Sequence, residues 1–370
     1  MKRLAALFLA LTFLLALVAP GAASRTADFD CNTVSGIPVA ECEALVALYN
    51  STNGPGWIDS TYWLVTNTPS NWYGVTVEGG HVVQLRLAAN NLAGTIPPEL
   101  GNLGQVGWIQ LSYNQLTGEI PASLGNLAQI WALHLDRNDL SGPIPSSLGS
   151  LGNLLELLLY GNQLSGSIPP ELGNLTSLLS LELWDNQLSG SIPPELGSLQ
   201  NLLTLHMDMN QLSGTLPPEL GNLSNLQRLG VAINQLTGAI PMTYIQLTSL
   251  THFNFHTTQL CEPTDPEFQA WKATVQYWYG TGLFCEETLE IHGRVADSSG
   301  GGIAGVTLSA GGGLTATTGT DGSYVLTVND AGTYTVTPSK PGFSFSPAAR
   351  TVTLPPTALN VDFTGSDVTL

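Results

Sequence analysis

Two glutamates, Glu156 and Glu182, have the clearest potential for catalysis in this sequence. They lie in neighbouring copies of a segment that repeats every 24 residues, so we expect them on adjacent strands about 4.8 Å apart. Paired carboxylates separated by about 5–10 Å can hydrolyse glycosidic bonds. That chemistry also requires one acid to be buried so that its pKa rises. An open, curved sheet would bury neither glutamate, so the sequence argues against an enzyme.

Two pairs of histidine and aspartate raise the question of a metal site. His134 and Asp136 fall on one predicted strand, and His206 and Asp208 fall on another strand three copies later. The two pairs would lie at least about 14 Å apart along a sheet and cannot share one ion. We therefore expect no metal and no cofactor.

A 24-residue repeat from Val82 to about Leu260 positions these side chains. In one copy, Leu181 and Leu183 alternate with polar residues, and this period of two predicts a short strand with one apolar face. A fixed period is typical of a solenoid, whose stacked coils bury leucines that one coil cannot bury alone. An asparagine recurs in coils 1 to 7, and we expect its amide to bond backbone groups of neighbouring coils. These residues are Asn90, Asn114, Asn138, Asn162, Asn186, Asn210 and Asn234.

The repeat resembles the plant-type leucine-rich repeat, LxxLxLxxNxLSGxIPxxLGxL. Seven copies match this pattern at nearly every position, including pairs such as Ile192-Pro193, and an eighth copy carries Thr258 in place of the asparagine. The resemblance implies an α/β solenoid, a right-handed coil with a parallel sheet on its concave side. It also implies a role in binding a ligand.

Positions between and beside the nearly invariant leucines should face the concave surface, and they vary freely from coil to coil. Large aromatics and a stripe of acids occupy several of them. Aromatic rings beside carboxylates suit stacking on sugars or clamping a peptide with basic residues. The predicted ligand-binding residues are Trp108, Gln110, Tyr113, His134, Asp136, Arg137, Glu156, Tyr160, Glu182, Trp184, Asp185, His206 and Asp208.

The first 24 residues have the pattern of a signal peptide. Lys2 and Arg3 precede a short apolar run that ends in small residues near Ala23, which favours export rather than a membrane span. The net charge of the whole chain is −18, and removing this segment takes away two basic residues and makes it more negative. Such a charge argues against nucleic acid or anionic lipid as a partner.

Four cysteines in an exported chain predict two disulfides. Cys31 and Cys42 precede the repeats, whereas Cys261 and Cys285 follow them. Three pairings are possible, and only the pairing within each of these two sets avoids joining opposite ends of the solenoid. Zinc ligation is the alternative, but the chain contains no CxxC pair.

The segments that flank the repeats are predicted to be caps, because a solenoid end exposes apolar core. A helix over 41–49 and four aromatic residues should cover the first coil: Trp57, Trp63, Trp72 and Tyr73. After the repeats, Asp265 and Pro266 are suited to begin a second capping helix. Both segments resemble the caps of leucine-rich-repeat proteins, the second one those of bacterial members.

The composition changes from Thr288 onwards, where leucine falls and Gly, Thr, Ser and Val rise. Short alternating runs separated by turn residues predict a small β-sandwich. We expect strands at 289–295, 305–308, 314–318, 324–328, 333–337, 343–345, 351–354 and 360–363. Segments such as GRVADSSGGGIAGVTLSA and TDGSYVLTV resemble the carboxypeptidase-regulatory-like (transthyretin-like or CnaB-like) family. That resemblance implies an Ig-like sandwich that acts as a spacer or stalk.

The predicted order is a signal peptide (1–24), an N-terminal cap (25–81), the repeats (82–260), a C-terminal cap (261–287) and a β-sandwich (288–370). We expect a secreted or cell-surface, non-catalytic recognition protein whose concave face binds an extracellular protein, peptide or glycan. Two alternatives stay open. One is a structural or adhesive surface protein with the sandwich as spacer, and the other is a glycan-active enzyme.

Overall fold

The computed structural model describes residues 29–285, 289–328, 332–354 and 359–368. The predicted signal peptide lies outside these residues. Within them, no helix combines the length and the apolar character needed to cross a bilayer. Two separate apolar cores are present, one from Ala44 to Val275 and the other from Leu289 to Phe363.

The concave side of the solenoid is a ten-stranded sheet. Its first two strands are antiparallel and the others are parallel. In sheet order the strands are Val75–Glu78, His81–Arg86, Trp108–Gln110, Ala132–His134, Glu156–Leu158, Ser180–Glu182, Thr204–His206, Arg228–Gly230, His252–Asn254 and Tyr277–Tyr279. The middle residue of each parallel strand is buried in most coils, as Leu181 is, and its neighbours face the concave surface. The predicted parallel concave sheet is therefore confirmed.

A second sheet of eight short strands runs along one flank, and the sequence reasoning did not foresee it. Its strands are Ala93–Thr95, Gln115–Gly118, Asp139–Gly142, Gln163–Gly166, Gln187–Gly190, Gln211–Gly214, Gln235–Ala239 and Gln259–Cys261. Gly190 ends one of these strands with φ of 79°, and glycine adopts this left-handed conformation readily, so the chain can turn there.

Short 3-10 helices line the side opposite the concave sheet. They span Pro98–Asn102, Ala122–Asn126, Ser146–Ser150, Pro170–Asn174, Pro194–Ser198, Pro218–Asn222 and Met242–Gln246. Three others lie in the N-terminal cap, at Cys31–Thr33, Gly54–Gly56 and Pro69–Asn71. Several of these helices begin with proline, whose ring fixes φ at a helical value. Proline also lacks the backbone N–H, which would have no hydrogen-bond partner in the first turn.

The repeated asparagines connect neighbouring coils. In coil 4, Asn162 donates its Nδ2 to the carbonyl oxygens of Leu135 (3.1 Å) and Leu159 (3.0 Å), and its Oδ1 accepts from the Leu140 N–H (3.0 Å). Asn114 and Asn186 make similar bonds but are half-buried, whereas the other five asparagines are buried. Thr258 in the eighth coil bonds only within its own coil.

We expect Asn162→Ala to lower the free energy of unfolding by about 1–3 kcal/mol, because it leaves several buried backbone groups without a partner. Chemical denaturation of the two proteins measures this difference. Asn153→Ala is the matched control, since Asn153 donates only one bond, to the exposed Ala128 carbonyl. Equal unfolding midpoints for the two variants would contradict the bridging role.

Both caps contain the predicted disulfides, Cys31–Cys42 and Cys261–Cys285, which are confirmed. The N-terminal helix spans Val39–Ser51 and is longer than predicted. Three aromatic residues of that cap, Trp57, Trp63 and Trp72, are buried as expected. Tyr73 is exposed instead, and its backbone joins the cap: its N–H donates to the Thr61 carbonyl and its carbonyl accepts from Trp63 Nε1.

The C-terminal cap has a helix at Pro266–Lys272, and the Asp265 carboxylate accepts from two N–H groups in its first turn. Buried Glu262 pairs with the Lys272 ammonium and accepts from Trp278 Nε1 at 2.9 Å. This carboxylate joins the capping helix to the last strand of the concave sheet, which the sequence did not predict.

The described residues after 288 form two four-stranded sheets, consistent with a β-sandwich. One contains Ser323–Val328, Leu289–Ala296, Phe363–Asp367 and Phe343–Ser346, and the other contains Thr315–Thr317, Thr307–Ser309, Gly332–Ser339 and Arg350–Leu354. The last strand begins where we had predicted it to end. Asn360 has φ of 61°, and this left-handed conformation is incompatible with an extended strand.

Candidate ligand-binding face

Four side chains from coils 2 to 5 form what we call the aromatic cluster: Tyr113, Arg137, Tyr160 and Trp184. The rings of Tyr160 and Trp184 are stacked, with centroids 4.4 Å apart and planes 9° from parallel. The Arg137 guanidinium carbon lies 5.4 Å from the Tyr113 ring centroid and 5.6 Å from each of the other two. All four were predicted ligand-binding residues, and the fold brings them together on the concave face.

Arg137 is exposed and holds a positive charge within this cluster. Its φ is 52°, a left-handed value that costs a non-glycine residue energy. Among the described residues, no carboxylate lies within ion-pairing distance of its guanidinium. The cluster therefore presents a cation, held between aromatic rings, that is free to bind an acceptor.

Asp136 is part of the support for the cluster rather than of the binding surface. It is 2% exposed, and its carboxylate accepts from the Ser112 hydroxyl at 2.5 Å. Burial, followed by the nearby Asp136 carboxylate, raises the pKa of Tyr160. Our prediction that Asp136 faces a ligand is wrong, because equivalent positions on the adjacent coils enclose its side chain.

The two glutamates considered as an acid pair, Glu156 and Glu182, have different partners. In the sheet, Glu156 is level with Ser180, and Glu182 is level with Leu158, so the two carboxylates are diagonal rather than opposite. Glu156 pairs with His134 Nε2 at 2.7 Å, and Glu182 accepts from Trp184 Nε1 at 3.1 Å. Each carboxylate thus orients a neighbouring ring instead of facing the other acid.

The N-terminal end of the face contains a tryptophan pair that sequence reasoning found only in part. The rings of Trp108 and Trp131 are 5.2 Å apart, and the Arg86 guanidinium lies 4.5 Å from the Trp108 ring centroid. Trp131 precedes its strand, so the alternating pattern did not mark it. Gly107 occupies the same position in the preceding coil, and a Cβ there would lie 2.7 Å from Trp131 Nε1. A glycine one repeat before a tryptophan was therefore the sequence feature that could have predicted this ring on the face.

The C-terminal end of the face is polar. The Asp208 Oδ1 accepts from the Ala232 N–H at 3.0 Å and from Asn254 Nδ2 at 3.1 Å. Burial raises the pKa of the Asp208 carboxyl, while the Ala232 N–H, His206 and His256 act in the opposite direction. Asp208 and His206 are predicted ligand-binding residues, whereas Asn254 is not among them.

The remaining predicted residues line the same face outside the aromatic cluster. Gln110 borders a surface pocket with Arg86 and Tyr73, and Asp185 is exposed beside Trp184. His134 and His206 are separated by the strands of coils 4 and 5. Within the described ranges, no group of three or more His, Cys, Asp or Glu side chains is arranged to hold a metal ion.

A capped solenoid with a parallel concave sheet and a ladder of asparagines defines the class of leucine-rich-repeat proteins. Residues 81–259 match the family described as leucine-rich repeat region. Residues 290–365 match the carboxypeptidase regulatory-like domain family. The chain therefore carries a leucine-rich repeat region followed by a carboxypeptidase regulatory-like domain. No curated protein matches it in sequence.

Solved structures similar to this chain include receptor ectodomains. The Arabidopsis receptor kinase HAESA ectodomain, in complex with an IDA peptide hormone ligand, is 30% identical, with a TM-score of 0.55 over 68% of this chain and 42% of that one. The plant peptide hormone receptor RGFR1, in complex with RGF2, is 33% identical, with a TM-score of 0.51 over 58% of this chain and 33% of that one. This chain thus spans less than half the length of either structure.

Proposed function

We propose that the concave face binds an extended peptide or an extended segment of an extracellular protein. The observation that carries this proposal is the aromatic cluster, which presents three rings and an unpaired guanidinium on one surface. Its rings supply apolar contact area and its cation can bind a backbone or side-chain oxygen of a peptide. The structures similar to this chain include two that were solved with peptide hormones, which supports the same class of ligand.

The dimensions of the face suit a short extended chain. Predicted binding residues span coils 2 to 6, which corresponds to about 19 Å at the usual strand spacing. An extended peptide rises about 3.3 Å per residue, so five or six residues would cover this length. Two disulfides, which persist in oxidising compartments, support a location outside the cytoplasm.

An array of peptides and glycans, probed with the chain from residue 25 to 370, tests the proposal. We expect peptide hits whose binding falls by about tenfold or more in Arg137→Gln, because a charge-assisted hydrogen bond is lost. Lys340→Gln removes one charge in the sandwich and should leave the hits unchanged. Hits confined to glycans, or hits that are insensitive to Arg137→Gln, would contradict peptide binding at this cluster.

A further inference from the structure

At the C-terminal end of the concave face, two small residues on coil 7 interrupt the row of larger side chains and define a polar site. Gly230 and Ala232 form its floor, and Asp208 from coil 6 and Asn254 from coil 8 form its sides. At the position of Gly230 every other coil carries a side chain: Arg86, Gln110, His134, Leu158, Glu182, His206 and Asn254. We call this site the polar recess.

One carboxylate oxygen in the polar recess has no partner. Both donors reach Asp208 Oδ1, whereas Oδ2 accepts no hydrogen bond from the described residues. A Cβ on residue 230 would overlap Oδ2 and lie 2.8 Å from the carboxylate carbon. Only glycine at that position therefore leaves room for the carboxylate in this orientation.

The amide oxygen of Asn254 is a second acceptor without a donor. Within the described part of the chain, Asn254 Oδ1 is buried and accepts no hydrogen bond. It belongs to the same planar amide whose Nδ2 bonds Asp208, so it lies within a few ångströms of the carboxylate. A buried acceptor without a partner leaves its desolvation uncompensated, and a ligand donor that reached it would remove this penalty.

We propose that the polar recess binds a primary ammonium group at the end of an aliphatic chain, as carried by a lysine side chain. An ammonium offers three N–H donors in a compact head that can serve Asp208 Oδ2 and Asn254 Oδ1 together. The exposed side chains of Met209 and Ile233, which directly follow Asp208 and Ala232, suit the methylene stem. That the lysine belongs to a peptide ligand rests on the proposed function.

The charges around the polar recess are compatible with a cation. The whole chain has a net charge of −18, and no Lys or Arg nitrogen of the described residues lies within 4.0 Å of Asp208. His206 and His256 lie near the carboxylate. A lysine ammonium keeps its charge at about pH 8.

Nuclear magnetic resonance of the 15N-labelled chain, residues 25 to 370, tests the recess directly. N-acetyl-lysine amide, added at about pH 8, should shift the signals of the Gly230 and Ala232 amides and of the Asn254 side chain in a saturable way. N-acetyl-norleucine amide, which lacks the ammonium, should not. Equal shifts from both compounds, or no saturable shift from the lysine compound, would overturn the proposal.

Two variants test the geometry of the recess. Asp208→Asn keeps the shape but removes the charge, and it should weaken N-acetyl-lysine amide binding by about tenfold or more. Gly230→Ala keeps the charge but displaces the carboxylate, and it should have a similar effect. Asp139→Asn, on the flank sheet, is the control and should retain wild-type affinity. Wild-type affinity in both recess variants would overturn the assignment.

The same measurements separate this inference from the proposed function. Saturable binding of N-acetyl-lysine amide together with an array that yields no peptide supports the recess and contradicts peptide recognition. If a peptide binds the aromatic cluster but N-acetyl-lysine amide does not shift the signals of the polar recess, the recess proposal alone is contradicted. N-acetyl-arginine amide binding as tightly as the lysine compound would also contradict selection of a compact ammonium.

Discussion

Replacing Tyr160 and Trp184 together with alanine is expected to reduce the affinity for an array-selected peptide by about a hundredfold or more, since a few aromatic anchors usually dominate binding energy. The stacked rings form the centre of the aromatic cluster. Their removal also takes away two of the three rings that hold the Arg137 guanidinium. The double variant therefore loses ring contacts and leaves the cation less ordered. Fluorescence or calorimetric titration of the selected peptide measures the loss.

The fold should survive this double change, because neither ring belongs to the buried core of the solenoid. Its thermal unfolding provides the check. Glu171→Ala with Glu195→Ala is the matched control, as both glutamates are exposed on the 3-10 helices away from the concave sheet. If the control pair abolished binding and the ring pair did not, the ligand would bind elsewhere.

Gly173→Ala is expected to lower the free energy of unfolding by about 3 kcal/mol or more, at or above the upper end of overpacking costs. Gly173 lies in the 3-10 helix Pro170–Asn174, against the next coil. An added Cβ would overlap the Glu195 carbonyl oxygen and lie 2.7 Å from its carbon. These atoms belong to the backbone of coil 5, so two coils must separate to accommodate one methyl group. Denaturant-induced unfolding measures the change.

Gly152→Ala is the control for this prediction. Gly152 lies just after the 3-10 helix Ser146–Ser150 of the preceding coil, and an added Cβ there would meet no atom within 4 Å. We expect its unfolding midpoint to stay close to that of the wild type. If the two substitutions destabilised the protein equally, the cause would be the loss of backbone freedom at glycine, and the predicted clash between coils would be contradicted.

Much of the solenoid could be predicted because its determinants are local and repeated. The alternation around Leu181 and Leu183 predicted a strand, and that strand is present at Ser180–Glu182. The position of cysteines outside the repeats predicted the two disulfides. The flank sheet was missed because the segment Gln187–Gly190 has only one large apolar residue, Leu188, so no alternating pattern marks it as a strand.

The aromatic cluster was predicted as a set of residues, but the sequence did not predict which of them contact one another.

Trp131, at the N-terminal end of the face, was missed because it lies outside the alternating positions of its strand. Glu156 and Glu182 were considered as an acid pair from their places in adjacent coils, but only the register of the sheet shows that they lie diagonally. A sequence gives the position of a residue within its own coil, but contacts on this face join residues of different coils.

Asp136 and Asp208 show which properties of a residue the sequence determines and which depend on the tertiary structure. Both occupy the same position, two residues before the asparagine of their coil, so the repeat alone determined that each lies at the end of a concave strand. The tertiary structure decided their different environments. Asp136 is enclosed between Ser112 and Tyr160, whereas Asp208 has one open oxygen because the next coil carries Gly230. The environment of each carboxylate is set by side chains about one repeat away, which touch it only when the coils stack.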